Sequence, residues 1–273
     1  PSEFLKLMED ANREKIVSEF KKIGFSYVSL DLQGYRMGSM NETIKTQLNH
    51  RTIRAFKNQE LTDEQKKTLE EVARHTSTSM FLQQFSMMHV TDDEKRAKIR
   101  EITGQKYVGA NGDLFIFVAD LYRNSEIRRQ LGKDEGALHG TDVFLQAVED
   151  TVLAVQNFVN AAESMGLGAV ILGSINNEPK ELVKILNLPK MTYPVLGVQV
   201  GVPDQEPQLK PRLPLEFISF ENEYPHDFSI ENLASYDEVV QTYYDLRNAN
   251  KRIDSFTNQI GSEIGRASCR ERV

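Results

Sequence analysis

A single cysteine, Cys269, occurs in the 273 residues. No internal disulfide can form, and a reducing cytoplasm is the expected compartment. No apolar run approaches the ~20 residues of a membrane-spanning helix, and no signal-peptide pattern opens the chain. The histidines His50, His75, His89, His139 and His226 have no metal-ligand spacing, and no cysteine pair could complete a zinc site. There is no G-x-S-x-G elbow and no Walker loop, which sets aside the hydrolase and P-loop chemistries. Repeats and low-complexity tracts are missing too. Basic charge is not in excess: 33 Lys+Arg against 40 Asp+Glu leave a formal charge of −7. Neither nucleic acid nor an anionic membrane is therefore an expected partner, and any anion site must be a local concentration of Arg and Lys.

What remains is an ordinary globular composition, 40% hydrophobic and 27% charged, on a chain long enough for a sizeable core. Phe4, Leu5, Met8, Ile16, Val17 and Phe20 recur at helical spacing and predict a helix over 1–23. Period-two alternation predicts a strand over 25–32, and Gly34, Gly38 and Ser39 a loop. A fresh helix is expected from about residue 41, with Ile44 and Leu48 on one face. This places a boundary near Met40, between an extension of residues 1–39 and a principal domain of residues 40–260. Pro1 in place of Met marks the start as a fragment or processed end. The stretch 261–273 has no apolar period and resembles translated vector sequence; it is set outside the fold, and Cys269 with it.

The principal domain reads as α+β. Helices are expected over 63–75 (Leu69, Val72 and Ala73 inward, Thr62 or Asp63 as cap), 92–102, 142–164, 179–186 and 235–247. Strands are expected over 86–90, 113–119, 169–172 and 193–202. The unbroken apolar run 113–119 is the pattern of a strand buried on both faces. Apolar coverage of 142–164 is wider than one stripe, which makes that helix central to the core or to an interface between copies.

Few stretches could carry chemistry. In Asn49-His50-Arg51-Thr52-Ile53-Arg54, a helix would put Arg51 and Arg54 on one face. Guanidiniums suit phosphate because their planar fork makes bidentate, charge-assisted bonds. By itself, however, the stretch reads first as a solvated helix face. Thr76-Ser77-Thr78-Ser79 offers small hydroxyls and reads first as a capping loop. Gln105 and Lys106 put an amide and a cation on another loop. The glycines at 166, 168 and 173 resemble a dinucleotide fingerprint, but they close a helix and open a strand, the reverse of a Rossmann turn. Gly166 and Gly168 are better read as a helix C-terminal turn, and Gly173 as room for a ring against the backbone. Lys210-Pro211-Arg212 is either a preorganised anion site or a solvated basic linker. Asn250-Lys251-Arg252 reads as surface, and Asp92-Asp93 as acids at a helix N-terminus.

Six motifs in series are N-H-R-T-I-R-A-F (49–56), T-S-T-S-x-F-L-Q (76–83), T-G-Q-K (103–106), A-A-E-S-M-G-L-G-x-x-x-L-G (161–173), L-K-P-R-L-P (209–214) and Y-D-E-x-x-x-x-Y-Y-x-x-R (236–247). Together they resemble the flavin reductase and oxygen-insensitive nitroreductase branch of the nitroreductase superfamily, over roughly residues 40–259. The resemblance implies an α+β, nitroreductase-like fold: a central, mostly antiparallel sheet flanked by helices, in an intertwined homodimer with two FMN sites at its interface. It implies that His50, Arg51, Thr52 and Arg54 hold the FMN phosphate, with Lys210 and Arg212 approaching the same cofactor. Thr78 and Gln105 would meet the ribityl chain and the isoalloxazine edge, and Ile171, Leu172, Gly173 and Ser174 the ring. Lys210 and Arg252 would serve the 2′-phosphate of NADPH. Thr52 and Thr78 stand where Ser is common in the family, and Ile253 where a second Arg follows. The implied activity is electron transfer from NADPH to nitroaromatics, quinones or free flavin in two half-reactions, with no catalytic side chain and no metal. A flavin-binding or flavin-fragmenting relative on the same fold is the alternative. Separately, residues 1–42 resemble the C-terminal tail of the ATP-dependent sacrificial sulfur transferases of the PP-loop group; the nucleotide loop is absent, so no such activity is expected.

Overall fold

The computed structural model describes residue 6, residues 8–24, residue 28 and residues 42–248 and 254–267. Two units are distinguished, residues 1–48 and 49–273. In the first, α1 (Asp10–Lys22) buries no residue and is laced by surface pairs three residues apart, Arg13 with Asp10 and Lys22 with Glu19. A short helix, α2 (Glu42–Leu48), lies where one was expected. The strand expected over 25–32 falls outside the described residues, except for Val28, which is in no element.

The second unit opens with the extended segment 49–57, then α3 (Asp63–Arg74). A reciprocal box starts α3: the Thr62 hydroxyl accepts from the Gln65 N–H, and the Gln65 side chain accepts from the Thr62 N–H. Leu69 and Ala73, four residues apart, face the core. Val72 does not; it is 37% exposed, because the buried row follows the i, i+4 spacing and leaves Val72 at the rim. Next come β1 (Phe85–Val90), α4 (Asp93–Thr103), β2 (Asp113–Asp120), α5 (Tyr122–Gln130), α6 (Thr141–Ser164), β3 (Gly168–Leu172), α7 (Pro179–Ile185), β4 (Thr192–Gly201), α8 (Ala234–Asn248) and α9 (Phe256–Ala267).

Local chemistry explains most boundaries. The Asp92 carboxylate caps α4 by accepting from the Lys95 N–H, and Gly104 ends it at φ 64°. Gly166 closes α6 at φ 74°, with the Leu167 N–H bonded back to the Ala162 carbonyl. Pro179 sits in the first turn of α7, where no N–H is needed. Periodicity does not announce α5: only Ser125 is buried, and its start is capped by the Asp120 carboxylate accepting from the Arg123 N–H. Nor is α9 announced, yet it runs to Ala267, into the stretch set outside the fold on pattern alone.

The four strands form one antiparallel sheet in the order β1-β2-β4-β3. Every residue of β2 is buried, as its apolar run predicts. Alternation divides it between two layers. Phe115 and Phe117 point to α6 and α3, with Phe158 of α6 packed 4.9 Å and 5.4 Å from their rings. Leu114, Ile116 and Val118 join Ile99 and Ile102 of α4 and Leu182 of α7 on the other side. The sheet is thus covered on both faces, and the α+β, antiparallel expectation holds. Its β3 edge is covered by the segment 49–57: Thr52 bridges to Ala169, Phe56 to Pro203, and the Ile53 N–H donates to the Ala169 carbonyl at 2.9 Å.

Candidate functional site

The strip His50–Arg54 is extended along the sheet edge, not helical. Arg51 and Arg54 therefore do not share a face, since side chains three apart on an extended chain point oppositely. The cause is tertiary: Ile53 and Phe56 are buried, the Ile53 N–H donates to the Ala169 carbonyl, the Lys57 N–H to the Val202 carbonyl, and the Ala55 carbonyl accepts from the Asp204 N–H. Arg54 is exposed and Arg51 half-buried. An Arg51 terminal nitrogen lies 4.0 Å from Glu206, while its Nε is buried with no hydrogen-bond partner. A buried donor left unbonded costs about 1–3 kcal/mol, so this guanidinium is suited to an added anionic acceptor. Beside it, Nδ1 of His50 lies 2.6 Å from Oε1 of Glu163, and Oε2 of that carboxylate is also buried without a partner.

Further along the same edge the burial of β3 is broken at one position. Ile171 is 38% exposed between the buried Val170 and Leu172. An apolar side chain is thus presented beside the basic strip, whereas Leu172 belongs to the core and can offer only its backbone. A side chain added at Gly173 would meet no protein atom within 4 Å, so the space over that backbone is open. Ser174 follows, its hydroxyl donating to Oε1 of Gln105 at 3.3 Å; the Tyr107 hydroxyl donates to the same oxygen at 2.6 Å.

Gln105 is held from behind. The fully buried Gln199 of β4 accepts from the Gly109 N–H at 2.7 Å and donates to the carbonyls of Tyr107 and Asn111. Arg100 donates to the Val108 and Gly109 carbonyls, and Arg96 to those of Gly109 and Gly112. These guanidiniums staple the loop 104–112.

Thr78 heads a different loop. Its hydroxyl accepts from the Gln83 N–H, and the loop hangs on the buried Asp150 of α6, whose carboxylate accepts from the Ser79 N–H at 2.8 Å and the Gln84 N–H at 3.3 Å. Met80, Phe81 and Gln83 have positive φ there, uncommon for residues with a side chain, and Phe81 projects into solvent. Lys210 and Arg212 are exposed, with Arg212 donating to the Lys210 and Pro211 carbonyls. Upstream of them, the Asp204 N–H donates to the Ala55 carbonyl, so this segment starts against the basic strip. The structure thus brings His50–Arg54 against β3 and residues 204–206, and Gln105 against Ser174. Among the described residues, no hydrogen bond or ion pair ties Thr78, Lys210 or Arg212 into either group. Arg252 lies outside the described residues.

Glu163 stands in the 161–173 motif without a role assigned to it, and Tyr107, Gln199 and Asp150 are in none of the six motifs. Asp150 and Glu163 did leave a trace, as acids inside a largely apolar helix. Tyr107 and Gln199 left none, since their roles depend on loop packing. Among the described residues, no group of three or more His, Cys, Asp or Glu could hold a metal ion, and no helix is long and apolar enough to cross a membrane.

The described residues thus form an antiparallel sheet layered between helices, with a basic extended segment on one edge and an open glycine at the end of β3. The model of the nitroreductase family matches residues 48–202, and that of the nitroreductase family C-terminal domain matches residues 210–273. The chain belongs to the nitroreductase family. It is 39% identical over 226 residues to the FMN reductase (NADPH) of Bacillus subtilis, covering 81% of this chain and 90% of that protein. To the NADPH-dependent oxidoreductase of Staphylococcus saprophyticus it is 36% identical over 219 residues, covering 78% and 87%. Among solved structures, the NfrA1 nitroreductase of B. subtilis superposes with a TM-score of 0.79 at 36% identity, over 83% of this chain and 94% of that one. The NADPH:FMN oxidoreductase of Vibrio harveyi, in complex with NAD+, gives 0.73 at 32% identity, over 82% and 91%.

Proposed function

We propose that this protein is an FMN-dependent NADPH oxidoreductase that passes electrons to small-molecule acceptors. The carrying observation is the edge of the sheet: a half-buried Arg51 with an unbonded Nε, beside the exposed Ile171 and the open backbone of Gly173. The names of the B. subtilis and S. saprophyticus relatives support the same reading. Bound FMN would supply the two-electron chemistry; the protein binds, orients and shields. His50, Arg51, Thr52 and Arg54 would hold the phosphate, with Lys210 and Arg212 approaching from the segment that starts against that strip. Gln105 and Thr78 would meet the ribityl chain and ring edge. Ile171, the Leu172 and Gly173 backbone, and Ser174 would line the ring. Lys210 and Arg252 would receive the 2′-phosphate of NADPH. Donor and acceptor would use one pocket in turn, in two half-reactions, and nitroaromatics, quinones and free flavin are the acceptor classes. A homodimer fits the apolar residues that α6 leaves exposed, Leu145, Val152 and Leu153. The cytoplasm is the compartment that goes with a single cysteine.

The absorbance spectrum tests this directly. Purified protein, or apoprotein given FMN, should show a bound-flavin spectrum that bleaches anaerobically with NADPH and recovers on adding a quinone. A colourless protein that takes up no FMN would overturn the reading. Bound flavin that NADPH leaves oxidised would identify a flavin carrier instead.

A further inference from the structure

Gln105 has almost no hydrogen-bonding capacity left over. Its backbone N–H donates to the Thr103 hydroxyl at 3.3 Å, and its backbone carbonyl accepts from the Val108 N–H at 3.1 Å. Its side-chain oxygen Oε1 accepts twice, from the Tyr107 hydroxyl at 2.6 Å and from the Ser174 hydroxyl at 3.3 Å. A carbonyl oxygen has two lone pairs, so both are taken. The amide nitrogen is the exception: Nε2 makes no hydrogen bond among the described residues and is not buried. Both hydroxyls are themselves held in place. The Tyr107 ring packs against the core layer of Ile99 and Ile102, and its carbonyl accepts from the Gln199 side chain at 2.9 Å. Ser174 lies in a single helical turn, Gly173–Asn177, anchored by the buried Ile175.

Two hydroxyls on one oxygen decide which end of the amide is left to a ligand. Through Ser174, Gln105 is tied to the residue next to Gly173, over whose backbone the space is open. We propose that Tyr107 and Ser174 are positioning residues: by filling Oε1 they commit the Gln105 side chain to donating, through Nε2, to the edge of the flavin ring. A side chain so committed suits the ring's carbonyl oxygens and unprotonated nitrogens and cannot serve its N–H, which needs an acceptor. Reduction adds negative charge to the ring, so a fixed donor there binds the reduced form more strongly and raises the potential of the bound flavin. This inference rests on the FMN reading and goes beyond it by making Gln105 a donor and giving Tyr107 and Ser174 their roles.

The test combines the affinity of the apoprotein for oxidised FMN with the reduction potential of the bound flavin, measured against a reference dye. The variants are Tyr107→Phe with Ser174→Ala, Gln105→Ala, and all three changes together. Phe keeps the packing of the Tyr107 ring, so the first variant removes only the two hydroxyls and leaves the amide free to rotate. It should bind reduced FMN about tenfold more weakly, the scale of one charge-assisted hydrogen bond, and oxidised FMN within about twofold of wild type. That ratio is a potential lower by about 30 mV for a two-electron couple. The triple variant should match Gln105→Ala, because both hydroxyls act through the amide. An unchanged potential, equal weakening of both redox forms, or a further shift on top of Gln105→Ala would overturn the proposal. The NMR signals of the Gln105 side-chain NH₂ in the wild-type FMN complex give a check needing no variant: they should move downfield when the flavin is reduced, and unmoved signals reject the donor role. Failure of wild type to bind FMN would remove the flavin reading itself, an outcome distinct from all of these.

Discussion

Two histidine–carboxylate pairs show how the same residue types serve different ends. His50 and Glu163 lie beside the basic strip. His89 and Asp113 instead tie strand to strand, Nε2 to Oδ1 at 2.7 Å, with the His89 ring stacked 4.5 Å from Phe115 and the Leu61 N–H donating to the Asp113 carboxylate. Burial works to raise the Asp113 carboxyl, but the hydrogen bond and charge of His89, the Leu61 N–H and the field of Lys66 together hold it below the ordinary aspartate value. A carboxyl depressed in the folded state contributes stability that is complete above its unfolded value, near 4, and is lost as pH falls through the folded value. Wild type should therefore lose urea resistance as pH falls from about 5 to about 3, and Asp113→Asn, weaker at neutral pH, should lose less over that range. Parallel declines would show that Asp113 is not a source of the acid sensitivity. None of this pairing is legible in the sequence, because His89 and Asp113 meet only through the register of β1 on β2.

Elements with a strong period were legible, and those without one were not. The apolar run of β2 and the broad apolar coverage of α6 announced both, because burial on two faces leaves few polar positions. The basic strip has a spacing that suits a helix, yet it is an extended edge segment. Its two arginines are compatible with either spacing, and the deciding interaction is with Ala169, more than a hundred residues away. Close approach of strip and strand depends on Gly168: an added Cβ would lie 2.7 Å from an Ile53 side-chain carbon. Gly168→Ala should therefore push the strip off β3, costing about 1–3 kcal/mol of stability by the usual scale of overpacking. FMN affinity should fall with it, and pairing the change with Ile53→Ala should restore part of both. Thermal melts and FMN titrations of the three variants give the answer; an unaltered Gly168→Ala protein would show that the strip is not held there.

For the whole molecule, the division falls between residues 48 and 49, and the family model begins at residue 48. The curated relatives match 78–81% of the chain. A variant lacking residues 1–39 should accordingly keep its FMN spectrum and NADPH turnover within about twofold of the full chain, the behaviour of a segment outside the folding unit. Loss of bound flavin on that deletion would assign the extension a part in the fold. The sequence by itself determined the fold class, the order of the core elements and the family, because periodicity, caps and ordered motifs are local properties of the chain. Only the tertiary structure decided that the basic strip is an extended edge segment and that Arg96 and Arg100 are staples. It alone set Glu163 against His50. Such pairings join residues far apart in the chain, and what each side chain does depends on the neighbour that packing brings to it.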